Sequence, residues 1–570
     1  MQANQPNSRN NVQSFAWVAQ LILLFVLVLL TNHGFTDRVD GLVRRQNWLV
    51  LSVFVGVWVL SLLCLAIAAQ QPNRAVRLFW AVVIAIATGL AHSFYLASGA
   101  DLNIFYVLSF WTARHEAGRA IEFYQDVGVW VAVVLIAFLA VLYLPPTVRN
   151  QKIRKFISRL AWAPAMPIIL MAAIIVTRDG SGSQAMPRQF QPLAIGVVAS
   201  GLILTDDAPE RDSVNWHTKS QPAVRNIVFL VDESIRPDYI NWNKGNPYTP
   251  MLAANKERVW IFGQALSGGN CSSFSNAILR LGGTRRSLVK SIKSNPTIWQ
   301  YAKRAGFRTV YIDGQSTFIK SDKKLQNFMT FQELKQVDRH VTFDNVPTPQ
   351  LDFELLSTVA AEIKGDKPVF ILANKNGAHF PYDAGYPESE ARFQPVIGPQ
   401  NVRDPAKMIN SYRNVIRWSV DKFFGKLLTE LDLSETFVIY TSDHGQHIAE
   451  HKLTHCSVEN PDPRQALVPL FATTQNNKLK MQLAAAVNLN RGKLTHFAIA
   501  PTLLELMGYD RADIATRYDA SIFEPQAFEP AFTSEYIFGL FRSKVKWTPV
   551  DLSAEYLEPL AKSTAAQVEQ

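Results

Sequence analysis

Five stretches within the first 180 residues are apolar and long enough to cross a bilayer, and no other feature restricts the fold as much. A spanning helix needs roughly 20 apolar residues, because its backbone finds no water in the hydrocarbon and must bond to itself. The stretches run about Ser14–Leu30, Trp48–Ala69, Val76–Leu96, Val127–Leu144 and Leu160–Thr177. The first is not a cleavable signal peptide, since no small-residue cleavage site follows it and further spans come after. Pro192–Leu204 is also apolar, but it is short, begins with proline and contains two glycines. That suits an interfacial or buried segment better than a sixth span.

Charge supplies the orientation. The chain of 570 residues carries a net charge of +10, which on its own would point to a polyanion partner. Residues 1–206 hold 15 basic and 8 acidic side chains, whereas residues 207–570 hold 42 and 39. The excess sits among the apolar runs, so it marks membrane topology and not nucleic-acid binding. Assigned alternately, one set of loops holds Arg9, Arg74, Arg77, Arg149, Lys152, Arg154, Lys155 and Arg159 with no acid. The opposite set is balanced. This predicts a cytoplasmic N-terminus and places everything after about residue 178 outside. The expected division is a transmembrane domain over 1–178, a Gly/Ser/Pro-rich connector over 179–222 and a soluble domain over 223–570.

The soluble part alternates short buried runs with helical patterns. Asn226–Val231, Thr309–Ile312, Val369–Ala373 and Thr436–Thr441 read as strands; Ser272–Leu281, Thr297–Ala305 and Ile409–Leu431 read as helices. Continuous apolar strands between helices predict an α/β domain with a mainly parallel sheet. Chemistry in such domains gathers beyond the carboxyl ends of the strands. There the sequence places Asp232-Glu233-Ser234, then Asn374 to His379, then Ser442-Asp443-His444-Gly445. Carboxylates and an imidazole from separate strand ends suit zinc, which accepts mixed nitrogen and oxygen ligands. One acid after a strand is more often a cap or a loop charge, so the combination carries the argument. A fourth element, Ser267–Asn276 (SGGNCSSFSN), leads small hydroxyl residues into a helix. A hydroxyl there faces free N–H groups and the positive end of the dipole, which favour an alkoxide and a phosphate. Taken alone, Ser272 or Ser273 would be read as an ordinary N-cap.

These motifs, in this order, resemble the membrane-anchored phosphoethanolamine transferases of bacterial envelopes, within the alkaline phosphatase and sulfatase superfamily. The likeness covers five helices followed by an external sulfatase-like domain. It includes the strand with its Glu233, the SGGNCSS nucleophile turn, the GAHFPYDAGYPESEARFQP segment, the SDHG pair and the SYRNVIRWSVD helix. Thr112 and Glu116 resemble the family's external lipid-facing patch. The resemblance implies that Glu233, Ser272, Asp443 and His444 hold a catalytic zinc, with Ser272 the nucleophile and Ser273 the fallback. It implies that His379 and His455 hold the substrate phosphate, protonate the leaving group or bind a second zinc. His447 and His451 lie close by without a matching role, and His340 and His496 match nothing.

Two departures matter. The outer domain has only Cys271 and Cys456, one beside the expected nucleophile and one after the expected site histidine. If Ser272 and His455 face one zinc, these cysteines come within bonding range, which requires Cα atoms closer than about 7 Å. The stretch Asn276–Arg286 brings Arg280, Arg285 and Arg286 near the site, with Arg280 a candidate phosphate or glycan contact. The implied reaction moves phosphoethanolamine from phosphatidylethanolamine to an envelope glycan or lipid A through a phospho-serine, from a multi-pass inner-membrane protein with its catalytic domain in the periplasm. The alternatives are phosphoglycerol transfer of the lipoteichoic acid synthase type and a catalytically dead ligand-binding module. No Cys/Ser-x-Pro/Ala-x-Arg signature marks the turn where a sulfatase would form formylglycine.

Overall fold

The structure, a computed structural model, describes residues 8–112, 125–148, 150–205, 210–315, 329–398, 404–449, 453–458, 460–527, 529–534, 537 and 539–552. It divides into two compact units: Met1–Asp206 with Gly539–Arg542, and Asp207–Phe538 with Ser543–Gln570.

The first unit is helical, with helices at all five predicted apolar positions. Asn47, Asn73 and Asn150 each accept backbone N–H bonds at the start of a helix, which fixes where those helices begin. The outward faces are greasy: Leu49 is 78% exposed, and Ile136 and Ile169 are 67% exposed. Such a surface suits hydrocarbon and not water. Among the described residues, Trp48–Ala69 and Arg74–Ser98 have full spanning length and composition. Val18–Thr31 and Phe35–Arg44 qualify only as a pair bent by 69°. Val127–Tyr143 and Ala165–Thr177 are shorter, so the number of crossings rests on more than helix length. The apolar segment after Pro192 forms the helix Gln191–Thr205, which buries Ala194, Ile195, Val198 and Ala199.

The second unit is built on one eight-stranded sheet. Its strands are β1 (Asn226–Asp232), β2 (Trp260–Leu266), β3 (Arg308–Asp313), β4 (Arg339–Thr342), β5 (Val369–Asn374), β6 (Thr436–Ser442), β7 (Leu467–Thr473) and β8 (Leu494–Thr495). Their order is β4-β3-β5-β1-β6-β7-β2-β8. All the pairs are parallel except β6 with β7 and β7 with β2. Every residue of β1 is buried, as a central strand covered on both faces requires. Ile227, Phe229 and Val231 enter one apolar core, while Val228 and Leu230 enter the other. That alternation is the pleat of a single strand. Val231 pairs with Asn374 and Asp232 with Ser442, so β5, β1 and β6 end level with one another. Whatever follows them must emerge together.

Candidate active site

The level strand ends bring Glu233, Asp443 and His444 into one buried group, whose ligand atoms lie within 4.8 Å of one another. The nucleophile turn reaches them from the helix Ser272–Leu281. Cys271 occupies the N-cap position, so Ser272 is the first helical residue and its hydroxyl is not used as a cap. Ser272 Oγ lies 3.0 Å from His444 Nε2 and 3.4 Å from Glu233 Oε2. Ser273 Oγ is buried without a hydrogen-bond partner.

Each ligand candidate is held from behind. His444 Nδ1 donates to Gly445 O at 2.7 Å, which turns Nε2 toward the cluster. Asp443 Oδ1 accepts from Ser234 N at 3.0 Å and His444 N at 2.7 Å, and Asn276 Nδ2 donates to its Oδ2 at 3.3 Å. Glu233 accepts from Ser234 Oγ at 2.6 Å and from Gln315 Nε2 at 3.3 Å. Ser234 adopts φ +63°, a conformation that costs a non-glycine residue energy. Tyr412 braces it, donating its hydroxyl to Ser234 O at 2.6 Å while accepting from Arg236 N at 2.9 Å. Gly377 also has positive φ, and a Cβ there would lie 2.1 Å from Asp232 Oδ1.

The electrostatics fit a cation. Among the described residues, the ion-pair partner of both carboxylates is His444, 3.3 Å from Glu233 and 3.6 Å from Asp443. Burial works against charge on His444, but the two carboxylates outweigh it and raise its pKa to about 9. Burial and the charge of Glu233 push Asp443 up to about 7. Burial acts on Glu233 in the same sense, yet the hydrogen bond and charge of His444 leave it well below the usual carboxylate range. His444 thus occupies the place of a counter-ion between two buried acids, a place a bound cation would take over. Two carboxylates, one imidazole with its lone-pair nitrogen inward and a neighbouring hydroxyl form a donor set that fits zinc. Glu233, Asp443, His444 and Ser272 would hold it.

His455 stacks on His444 with ring centroids 4.5 Å apart. Its Nδ1 lies 3.0 Å from Thr454 Oγ1. His379 Nδ1 donates to Phe380 O at 2.8 Å, and its charge acts on Glu233. The Cys271–Cys456 disulfide is present, with Cα atoms 4.6 Å apart.

Other residues are placed elsewhere. Arg280 is fully buried eight positions along the helix from Ser272, over the ring of Tyr311 at 5.2 Å, and Arg285 bonds to Glu529 at 3.1 Å. His340 stacks on Tyr311, and His496 donates to Ser442 O from within the core. His447 faces Asp462 at 3.5 Å. Thr112 ends the helix Ile104–Thr112, whereas Glu116 and His451 fall outside the described residues. The sequence reading missed Asn276, Gln315 and the brace Ser234–Tyr412. Asn276 was within reach, since it lies one turn from Ser272 on the same helix face.

Residues 225–509, half of the chain, match the sulfatase family model. The chain belongs to the sulfatase family. Phosphatidylethanolamine transferase Mcr-2 from Escherichia coli is 24% identical over 319 residues, 54% of this chain and 58% of that protein. Phosphoethanolamine transferase EptC from E. coli K12 is 22% identical over 193 residues, 32% of each chain. The chain therefore spans about half the length of the first relative and less of the second. The solved integral membrane protein lipooligosaccharide phosphoethanolamine transferase A (EptA) from Neisseria meningitidis superposes with a TM-score of 0.62 at 17% identity, over 86% of this chain and 96% of that one. At that identity the likeness shows the fold: apolar N-terminal helices, then a sulfatase-like domain with a mixed, mostly parallel sheet. The resemblance to membrane-anchored phosphoethanolamine transferases drawn from the motifs is borne out.

Proposed function

We propose that this chain transfers phosphoethanolamine from phosphatidylethanolamine to an envelope glycan or a lipid-linked sugar such as lipid A, through a covalent intermediate on Ser272. The observation that carries the reading is Ser272 Oγ, at the first position of its helix, 3.0 Å from His444 Nε2 and 3.4 Å from Glu233 Oε2. A hydroxyl committed to capping could not serve; this one faces the donor cluster. Zinc, when bound there, would supply a Lewis acid that lowers the hydroxyl's pKa and offsets charge on the phosphodiester.

The chain's own groups do the rest. Ser272 Oγ releases its proton to solvent and attacks phosphorus, the bond to the diacylglycerol oxygen breaks, and phosphoethanolamine is left on the serine. The departing oxygen takes a proton, and His455 and His379 are the neighbouring groups suited to deliver it. An acceptor hydroxyl then attacks the same phosphorus and releases Ser272. Splitting one transfer into two displacements needs a single nucleophile that both substrates reach in turn. The names of the relatives, Mcr-2 and EptC, support phosphoethanolamine over phosphoglycerol.

Incubation with labelled phosphatidylethanolamine and mass spectrometry of the Ser272 peptide tests this. A phosphoethanolamine adduct on Ser272 is expected. An adduct of phosphoglycerol mass would instead favour the lipoteichoic acid synthase type, and no adduct on any lipid a binding module. The proposed setting is a five-span inner-membrane anchor with the catalytic domain in the periplasm, supported by the acid-free basic loops. An alkaline phosphatase reporter fused after residue 220 should be active; an inactive reporter in a well-expressed fusion would overturn that topology.

A further inference from the structure

His455 reaches the centre on Leu453–Val458, a segment without helix or strand. Its backbone is tied beside the histidine, where Thr454 O accepts from His447 N at 2.7 Å, and Cys456 within it adopts φ +58°. Non-glycine residues hold that conformation only where their surroundings impose it. Two fully buried amides, Asn270 and Gln465, do so.

Asn270 stands two residues before Ser272. Its Nδ2 donates to Ser457 O at 2.9 Å and to Gln465 Oε1 at 2.8 Å, and its main-chain carbonyl accepts from Cys456 N at 2.8 Å. Gln465 Nε2 donates to Leu453 O at 3.1 Å and to Ser457 Oγ at 2.8 Å. The main-chain carbonyl of Gln465 accepts from Gly445 N at 2.9 Å, directly after His444. Gly445 has no space for a side chain there, since a Cβ would lie 2.2 Å from Arg464 O. The side-chain amides of Asn270 and Gln465 therefore bond to each other and to the His455 segment on both sides of the histidine, while their main-chain carbonyls tie the same two residues to Cys456 and to the Asp-His turn. The Cys271–Cys456 disulfide runs beside it.

We propose that Asn270 and Gln465 are positioning residues: a buried amide clasp that, with the disulfide, sets His455 over His444 and ties its place to that of Ser272. The inference rests on the reading of His455 as a working group of the transfer. Removing the Gln465 amide frees Leu453 O and Ser457 from one side while the cation donors stay in place. The clasp acts through His455, so its loss should be invisible once His455 is gone.

A double-mutant cycle on the full chain, with labelled phosphatidylethanolamine as donor, tests this. His455→Ala should lower turnover by about 10²-fold or more, the scale of one lost acid–base group. Gln465→Ala should lower it by about tenfold to 10²-fold, the scale of a misplaced one. Bound zinc should be unchanged in both, and the double variant should be no slower than His455→Ala alone. If Gln465→Ala does not fold, Ser457→Ala removes one bond of the clasp and should show a smaller fall with the same non-additivity. Additive losses, or loss of zinc with Gln465→Ala, would overturn the clasp while leaving the role of His455 intact. Wild-type turnover in His455→Ala would overturn the role of His455, and the clasp with it.

Discussion

Asp232 and Glu233 are adjacent, both buried, and sit at the end of the same strand, yet the clusters around them are of opposite kinds. Asp232 Oδ2 accepts from Lys375 Nζ at 2.5 Å and from Tyr440 OH at 2.8 Å, while its Oδ1 accepts from Glu233 N at 3.0 Å. Lys375 is fully buried, donates also to Ser419 O at 2.7 Å, lies 3.5 Å from Asp352 and sits 4.3 Å from the Phe423 ring centroid. The Ser419 carbonyl comes from a π-helical stretch, Ile416–Lys422, whose widened turn frees such a group. That cluster is closed: it carries its own cation and its bonds are made. The Glu233 cluster is open, with two carboxylates, one shared imidazole and a hydroxyl at its mouth. The contrast teaches that burial and charge do not mark a site by themselves. Charge left for something else to balance does.

The sharpest break of the comparison is chemical. Ser272→Ala removes the attacking oxygen and should abolish both the covalent adduct and transfer, a fall of about 10³-fold or more. Metal content should stay close to wild type, because Glu233, Asp443 and His444 are untouched. Glu233→Gln and Asp443→Asn should instead lose the metal along with activity. Metal analysis beside the transfer assay reads both. Transfer surviving in Ser272→Ala would move the nucleophile to Ser273 or elsewhere.

The closed cluster should fail differently. Lys375→Met leaves Asp232 buried without its cation, and breaking a buried pair by removing one partner costs about 3–5 kcal/mol. The unfolding midpoint should drop sharply, and Lys375→Met/Asp232→Asn should recover much of the loss. An unchanged midpoint in the single variant would show that Asp232 is not paired as the structure has it. Equal loss of stability in Ser272→Ala would erase the distinction between the two clusters.

The open cluster was more legible in the sequence than the closed one, for a physical reason. Strand ends announce themselves: four apolar runs read as strands lie within one residue of β1, β3, β5 and β6, and the residues after β1 and β6, Glu233 with Asp443 and His444, lie together. β2 and β7 escaped because Gly263 sits at a register shift and Pro469 argues against a central strand. Lys375 escaped because a lysine after a strand is ordinarily solvated, and nothing local shows that Phe423 and Ser419, more than 40 residues on, close over it. Tyr412 and Asn414 were legible as a motif but not as scaffolding: Tyr412 braces Ser234, and Asn414 bonds Phe393 N at 2.9 Å and Phe393 O at 3.0 Å. Arg280 shows the converse. Its position in the helix suggested a substrate contact, whereas the fold buries it over Tyr311.

Histidine offers the finest cut, because His447 is closer to His444 in sequence than His455 is. His455 stacks on His444; His447 faces Asp462 at 3.5 Å, and Arg464 already grips that carboxylate at 2.8 Å through both Nε and Nη2. Burial raises the pKa of Asp462, but the Arg464 hydrogen bonds outweigh it and hold the group below its ordinary value. The charge of His447 acts in the same sense, after the two Arg464 hydrogen bonds. His447→Gln should shift stability by about 1 kcal/mol or less, the scale of a partly screened pair. Turnover should stay within about twofold of wild type, since loss of a working acid–base group would cost far more, and bound zinc should not change. A tenfold fall in turnover, or loss of zinc, would place His447 in the open cluster and leave sequence distance a better guide here than the loop's path.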